Sequence, residues 1–219
     1  MIAVCIGITG NLGRELVREN LRRGHVLRGI APTGSVADLD PAVELSHGAA
    51  GDRDLLCRVF RGADVILPVF PPALDDPWRY PEDIRTVLDC AKAAGVPRVV
   101  ALLGSSGAKV STGERLVETD YFQETTRHFY LNIHDSWDIF RREKELDWTV
   151  VVPAARMQVH MASHGGRYRT RTDEYLVTTD EASRQYFEVS QISYADCACA
   201  MWNEVEQHRH SGCFVTVGY

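Results

Sequence analysis

The chain has 219 residues, 45% of them hydrophobic and 25% charged, with a formal net charge of −6. This fits one globular domain with a sizeable core and excludes a disordered or low-complexity chain. Apolar runs such as Val96–Leu103 are broken by Pro97 and Arg98, short of the roughly 20 residues a bilayer span needs, and no Lys/Arg cluster is denser than Arg141, Arg142 and Lys144, which argues against nucleic acid as a partner. The first strand is expected at Ile2–Gly7, a continuous apolar run of the kind buried on both faces of a parallel sheet. Because Met1–Gly10 lacks a basic residue and runs into a glycine turn, it reads as structure rather than a secretory leader, and a cytoplasmic protein is expected.

A helix is predicted over Asn11–Arg23, where Leu12, Leu16, Val17 and Leu21 recur near helical spacing and Gly24 can cap. Further strands are predicted at Val26–Ala31, Val43–His47, Asp64–Val69, Arg98–Gly104 and Trp148–Pro153. Helices are predicted at Asp54–Arg61, Pro81–Ala94 and Thr125–Leu146. Past Pro153, Met157–Thr172 is polar and glycine-rich, Tyr175–Thr179 reads as a short strand, and Ser193–Gln207 as a final helix. The alternation implies an α/β fold, a doubly wound parallel sheet of Rossmann type in a single domain. Residues 1–153 would form a dinucleotide-binding core and residues 154–219 a small substrate-side lobe. Ligands bind such sheets at the carboxyl ends of the strands.

Gly7-Ile8-Thr9-Gly10-Asn11-Leu12-Gly13 follows the first strand and opens the first helix. Its glycines permit a tight turn, close approach to a pyrophosphate and close helix packing, and the helix N-terminus offers free N–H groups to phosphate. This turn resembles the G-x-T-G-x-x-G turn of the atypical short-chain dehydrogenase/reductases. The rest of the chain is similar to their small NAD(P)H-binding members, the NmrA-like, biliverdin-IXβ-reductase-like and flavin-reductase-like proteins. The likeness runs through Arg23-Gly24-His25, Gly62-Ala63-Asp64-Val65, Ala91 to Val96, Leu146-Asp147-Trp148-Thr149, Ile192 to Asp196 and Phe214 to Tyr219.

The resemblance implies that Thr9, Gly10, Asn11 and Leu12 line the pyrophosphate, that Asp52 sits near the adenine, that Pro68, Val69 and Phe70 pass beneath the cofactor, and that Pro153, Ala154 and Ala155 lie beside the nicotinamide. Asp52 reads equally as the N-cap of the following helix. After the second strand, Ala31-Pro32-Thr33-Gly34-Ser35 has neither a basic nor an acidic side chain. Thr33 and Ser35 as phosphate donors incline the reading to NADP(H) over NAD(H), while nearby Arg28 is mid-strand, where a side chain need not point at the ribose.

The superfamily's Tyr-x-x-x-Lys pair, one helical turn apart, has here only Tyr130-Leu131-Asn132-Ile133-His134 as a counterpart. His134 stands near the lysine position and could serve as acid/base. Equally, Tyr130 could pack and His134 cap or solvate the helix. Tyr121 has no base four residues on. Ser105 and Ser106 follow Gly104 at the end of the fifth strand, where a substrate carbonyl needs a donor, or else they satisfy a turn. Arg156 could meet an anion. Pro68–Pro72 with Trp78 and Tyr80 reads as a hydrophobic substrate pocket or lid, and Trp137 with Phe140 as core or a dimer face. No metal site is expected from His160, His164, His208 and His210. The six cysteines, among them Cys197-x-Cys199, read as buried reduced thiols.

Together these features predict an NAD(P)H-dependent oxidoreductase, monomeric or homodimeric, reducing a planar or polycyclic ketone, enone or flavin-like molecule. The alternatives are an NAD(P)-binding sensor without turnover and an isomerase, epimerase or dehydratase that regenerates its cofactor.

Overall fold

The computed structural model describes residues 1–33, 39–73, 76–110, 112–119, 124–174 and 190–219. Its strands are β1 Ile2–Ile6, β2 Val26–Ala31, β3 Glu44–His47, β4 Val65–Pro68, β5 Arg98–Leu102, β6 Asp147–Pro153, β7 Arg169–Thr172 and β8 Cys213–Gly218. They form one sheet in the order β3-β2-β1-β4-β5-β6-β8-β7, parallel except for β7. The described helices are α1 Asn11–Arg23, α2 Arg53–Val59, α3 Tyr80–Ala94, α4 Glu124–Arg142 and α5 Tyr194–Gln207. The expected doubly wound α/β sheet is therefore present. The predicted strand at Tyr175–Thr179 lies outside the described residues, as do Ser35 and Tyr121.

Side-chain alternation along β1 explains the two layers. Ala3 and Cys5 join one cluster with Leu16 and Val17 of α1 and Met201 and Trp202 of α5, while Val4 and Ile6 join the other, with α2, α3 and α4. Trp202 Nε1 donates to Leu16 O at 3.0 Å, holding α5 alongside α1. Trp137 and Phe140 of α4 are fully buried, and Trp137 stacks on Phe214 of β8 with ring centroids 4.1 Å apart, so both belong to the core rather than to a dimer face. α1 and α3 end on Gly24 (φ +74°) and Gly95 (φ +70°), as capping glycines should.

Two expectations need correcting. The fourth helix stops at Arg142 rather than at Leu146, because the Glu143 carboxylate accepts the N–H groups of Glu145 (2.6 Å) and Leu146 (3.2 Å) and turns the chain. The polar stretch Met157–Thr172 ends in a strand, β7, whose four residues are all exposed and, among the described residues, pair with β8 alone. The described part of residues 154–219 thus extends the sheet through β8 and β7. Among the described residues no helix is long and apolar enough to cross a membrane.

Candidate functional site

The glycine turn sits at the carboxyl end of β1. Gly7 has φ +91°, and a Cβ there would lie 3.0 Å from the backbone of Phe70. A Cβ on Gly13 would lie 2.4 Å from Ile8 O, so only glycine lets α1 start so close to β1. Asn11, Leu12 and Gly13 form the first turn of α1, with Leu12 and Gly13 buried. Gly10 caps that helix without any side-chain bond, and its first turn carries no acidic residue. The N–H groups of α1 therefore lack an internal anion, and the turn's shape and bare helix end fit a dinucleotide pyrophosphate. Arg14 Nε donates to Thr9 O at 3.1 Å, bracing the turn from behind.

Beside the turn opens a cleft of about 540 Å³. Gly7, Thr9 and Gly10 form one wall, Ala31, Pro32 and Gly48–Ala50 another, and Val69–Ala73 with Asp76, Arg79 and Asp83 close the third. Val69 and Phe70 line the cleft. Pro68 ends β4 in register with Ile6, one residue short of the cleft. Tyr80 is buried beneath Phe70, edge-on with centroids 5.4 Å apart, while Trp78 is exposed. Thr33 lies just outside the wall, next to Pro32. Asp52 is the α2 N-cap, its Oδ1 accepting from Leu55 N at 3.1 Å, and it does not line the cleft. Arg28 turns away from it to Glu44 (3.2 Å) and to the carbonyls of Val59 and Arg61.

Further along the same edge lies the segment following β5. Trp137 Nε1 donates to Gly104 O at 3.2 Å, and Ile133 sits over Gly104. Ser105–Gly107 form a short 3-10 turn. The Ser106 hydroxyl is buried without a hydrogen-bond partner among the described residues. Tyr130 is half-buried against the core, one turn from His134. His134 receives an unexpected partner: Arg115 Nη1 contacts its Nε2 and lies 3.4 Å from Nδ1. Burial, reinforced by the Arg115 charge, lowers the His134 pKa and keeps the ring neutral. Pro153 closes β6, and Ala154 N donates to Val217 O at 2.8 Å. Ala155 N donates to Ser190 Oγ at 3.4 Å.

The far end of this edge is tied by Asp196. Its carboxylate accepts from Ser163 Oγ (2.8 Å), His164 N (2.7 Å), Gly166 N (2.8 Å), Ser193 Oγ (3.0 Å) and the Tyr219 hydroxyl. Although burial opposes it, these donors hold the carboxyl down at about 2. The four histidines weighed for metal are otherwise engaged in three cases: His164 stacks on Tyr219, His208 pairs with Asp147 and His210 with Glu204.

Sequence reasoning missed Gly48–Ala50, Arg79 with Asp83, and Arg115. The small-residue run Gly48-Ala49-Ala50-Gly51 was a legible sign of close approach. Arg79 and Asp83 are an i, i+4 pair whose approach to Gly51 is long-range, and Arg115 meets His134 across 19 positions; neither meeting has a local signature.

The sequence signature of NAD(P)H-binding proteins matches residues 7–203. The chain is similar to YwnB of Bacillus subtilis, a protein without a characterised activity, at 23% identity over 207 residues, 94% of this chain and 92% of the relative. Among solved structures it resembles a protein from Bacteroides thetaiotaomicron named as a candidate epimerase, with TM-score 0.84 and 26% identity over 100% of this chain and 96% of the other. It also shares the fold of a candidate NADH-flavin reductase from Streptococcus pneumoniae, with TM-score 0.81 and 22% identity over 100% of this chain and 99% of the other.

Proposed function

Because this chain belongs to the NAD(P)H-binding family, we propose that it is an NAD(P)H-dependent reductase of a planar or polycyclic ketone, enone or flavin-like molecule. The observation that carries this reading is the uncapped α1 N-terminus opening onto the 540 Å³ cleft, a cradle shaped for a dinucleotide. When bound there, the reduced nicotinamide supplies a hydride to the substrate. Thr9 to Leu12 hold the pyrophosphate, and Val69 with Phe70 supports the cofactor from below. Pro153 to Ala155 flank the nicotinamide. Thr33, beside the Pro32 wall, is the donor that inclines the reading to NADP(H).

The proton is assigned to Tyr130, whose hydroxyl would deliver it to the substrate oxygen while Ser105 or Ser106 holds that oxygen by a hydrogen bond. A neutral His134 cannot act as a charged donor near neutral pH. Its role becomes positioning, with Arg115 supplying beside it the fixed positive charge that the superfamily takes from lysine. Tyr130→Phe is expected to lower kcat about 100-fold or more and to leave dinucleotide affinity unchanged; an unaltered kcat removes Tyr130 from the mechanism.

Fluorescence titration with NADPH and NADH, followed by loss of reduced-nicotinamide absorbance with quinones, flavins and enones, tests the whole reading. Binding of neither dinucleotide overturns it. The candidate epimerase among the similar structures favours a second reading, in which cofactor is regenerated within each cycle. That reading expects substrate interconversion without net loss of absorbance.

A further inference from the structure

The cleft wall has one feature that a bare phosphate cradle does not require. Arg79, at the entry to α3, and Asp83, one turn into it, are paired Nε to Oδ1 at 3.0 Å, and both line the cleft opposite Ala31 and Pro32. Arg79 carries the only positive side chain among the described lining residues. The pair is pressed against the loop after β3: a Cβ on Gly51 would lie 2.0 Å from Asp83 Oδ1 and 2.9 Å from the Arg79 guanidinium. Gly48–Ala50, the adjacent stretch, is itself cleft wall. A carboxylate acceptor and a guanidinium donor are thus fixed side by side at the end of the cleft remote from β5 and β6. Burial raises the Asp83 pKa, although the Arg79 charge opposes it; the carboxylate is thus partly withdrawn from water, where a hydrogen bond discriminates best, while the Arg79 side chain is half exposed.

Resting on the dinucleotide reading above, we propose that Asp83 and Arg79 are the residues that recognise the adenine base. Adenine offers an N6 amino donor flanked by ring-nitrogen acceptors, the polarity complementary to a carboxylate beside a guanidinium. Asp83 accepts from the N6 amino group, and Arg79 donates to N7, which remains an acceptor in hypoxanthine. Asp52, which the resemblance places near the adenine, is engaged in capping α2 and stands outside the wall. Of the two carboxylates that line the cleft, Asp76 and Asp83, it is Asp83 that is paired with the Arg79 guanidinium.

The test compares the coenzyme that binds more tightly, NADH or NADPH, with its hypoxanthine counterpart, in which the N6 donor becomes a carbonyl acceptor. Titration of the full-length wild-type protein is expected to show the adenine form binding about tenfold or more tightly, since an acceptor facing a carboxylate loses a charge-assisted hydrogen bond. Asp83→Asn presents an amide donor as well as an acceptor and is expected to cut the discrimination below about threefold. Equal affinity of the wild type for both forms overturns the proposal and leaves the dinucleotide site standing. Binding of neither form removes the site and the proposal together. Discrimination that survives in Asp83→Asn, or that vanishes in Asp52→Asn instead, also overturns it. The wild-type comparison needs no substitution, so a variant that fails to fold does not shield the proposal.

Discussion

Two helices begin side by side at the carboxyl edge of the sheet, and their N-termini are finished in opposite ways. α1 starts on Gly10 with no side-chain cap and no acid in its first turn. α5 starts on Ser193, whose hydroxyl accepts from Asp196 N at 3.1 Å, and Asp196 gathers five donors from three segments of chain. Both ends carry the same partial positive charge and the same orphan N–H groups. At α5 the protein supplies its own anion and gains rigidity; at α1 it leaves the place open, which is what binding an external phosphate demands. The difference separates a helix end filled from within from one left without a side-chain cap.

The largest effect on this contrast is expected from Gly13→Val. Its branched side chain would collide with the Ile8 and Gly7 carbonyls behind the turn, costing about 3 kcal/mol or more of stability and abolishing dinucleotide binding in a fluorescence titration. Intact binding in that variant means that α1 does not need its close start. Asp196→Asn attacks the other helix end. It should cost about 2–3 kcal/mol in urea denaturation, because donors arranged for a charge then face an amide, while dinucleotide affinity stays within about twofold of wild type, a 1.4 kcal/mol loss being worth tenfold.

The same carboxylate predicts an acid limb. Its folded pKa, about 2, lies below the ordinary carboxyl value. The stabilisation is therefore complete above the unfolded pKa near 4 and is lost as pH falls towards 2. Thermal melts of Asp196→Asn across that window should show a shallower acid decline than wild type. The smallest effect belongs to Asp52→Ala, which removes only the α2 cap at Leu55 N and should cost about 1 kcal/mol.

Much of the fold was legible because parallel strands buried on both faces read as apolar runs, and because Gly24 and Gly95 mark helix ends. β7 escaped because Arg169-Thr170-Arg171-Thr172 is exposed throughout and carries no hydrophobic alternation. The glycine turn was legible for a local reason, since strand end, glycines and helix start are contiguous. Asp83 against Gly51, and Arg115 against His134, are meetings across 32 and 19 positions that only the folded chain creates. Asp52 was half legible: both of its readings were open, and the structure establishes the cap.

The position of β7 has a kinetic corollary. Among the described residues it lies at the sheet edge and pairs with β8 alone, although β8 follows α5. Residues 169–172 therefore have no described ladder to join until the polypeptide beyond them supplies β8. Assembly of this edge is obligatorily sequential, and amide protons of β7 can be no better protected from exchange than the closing strand that shelters them.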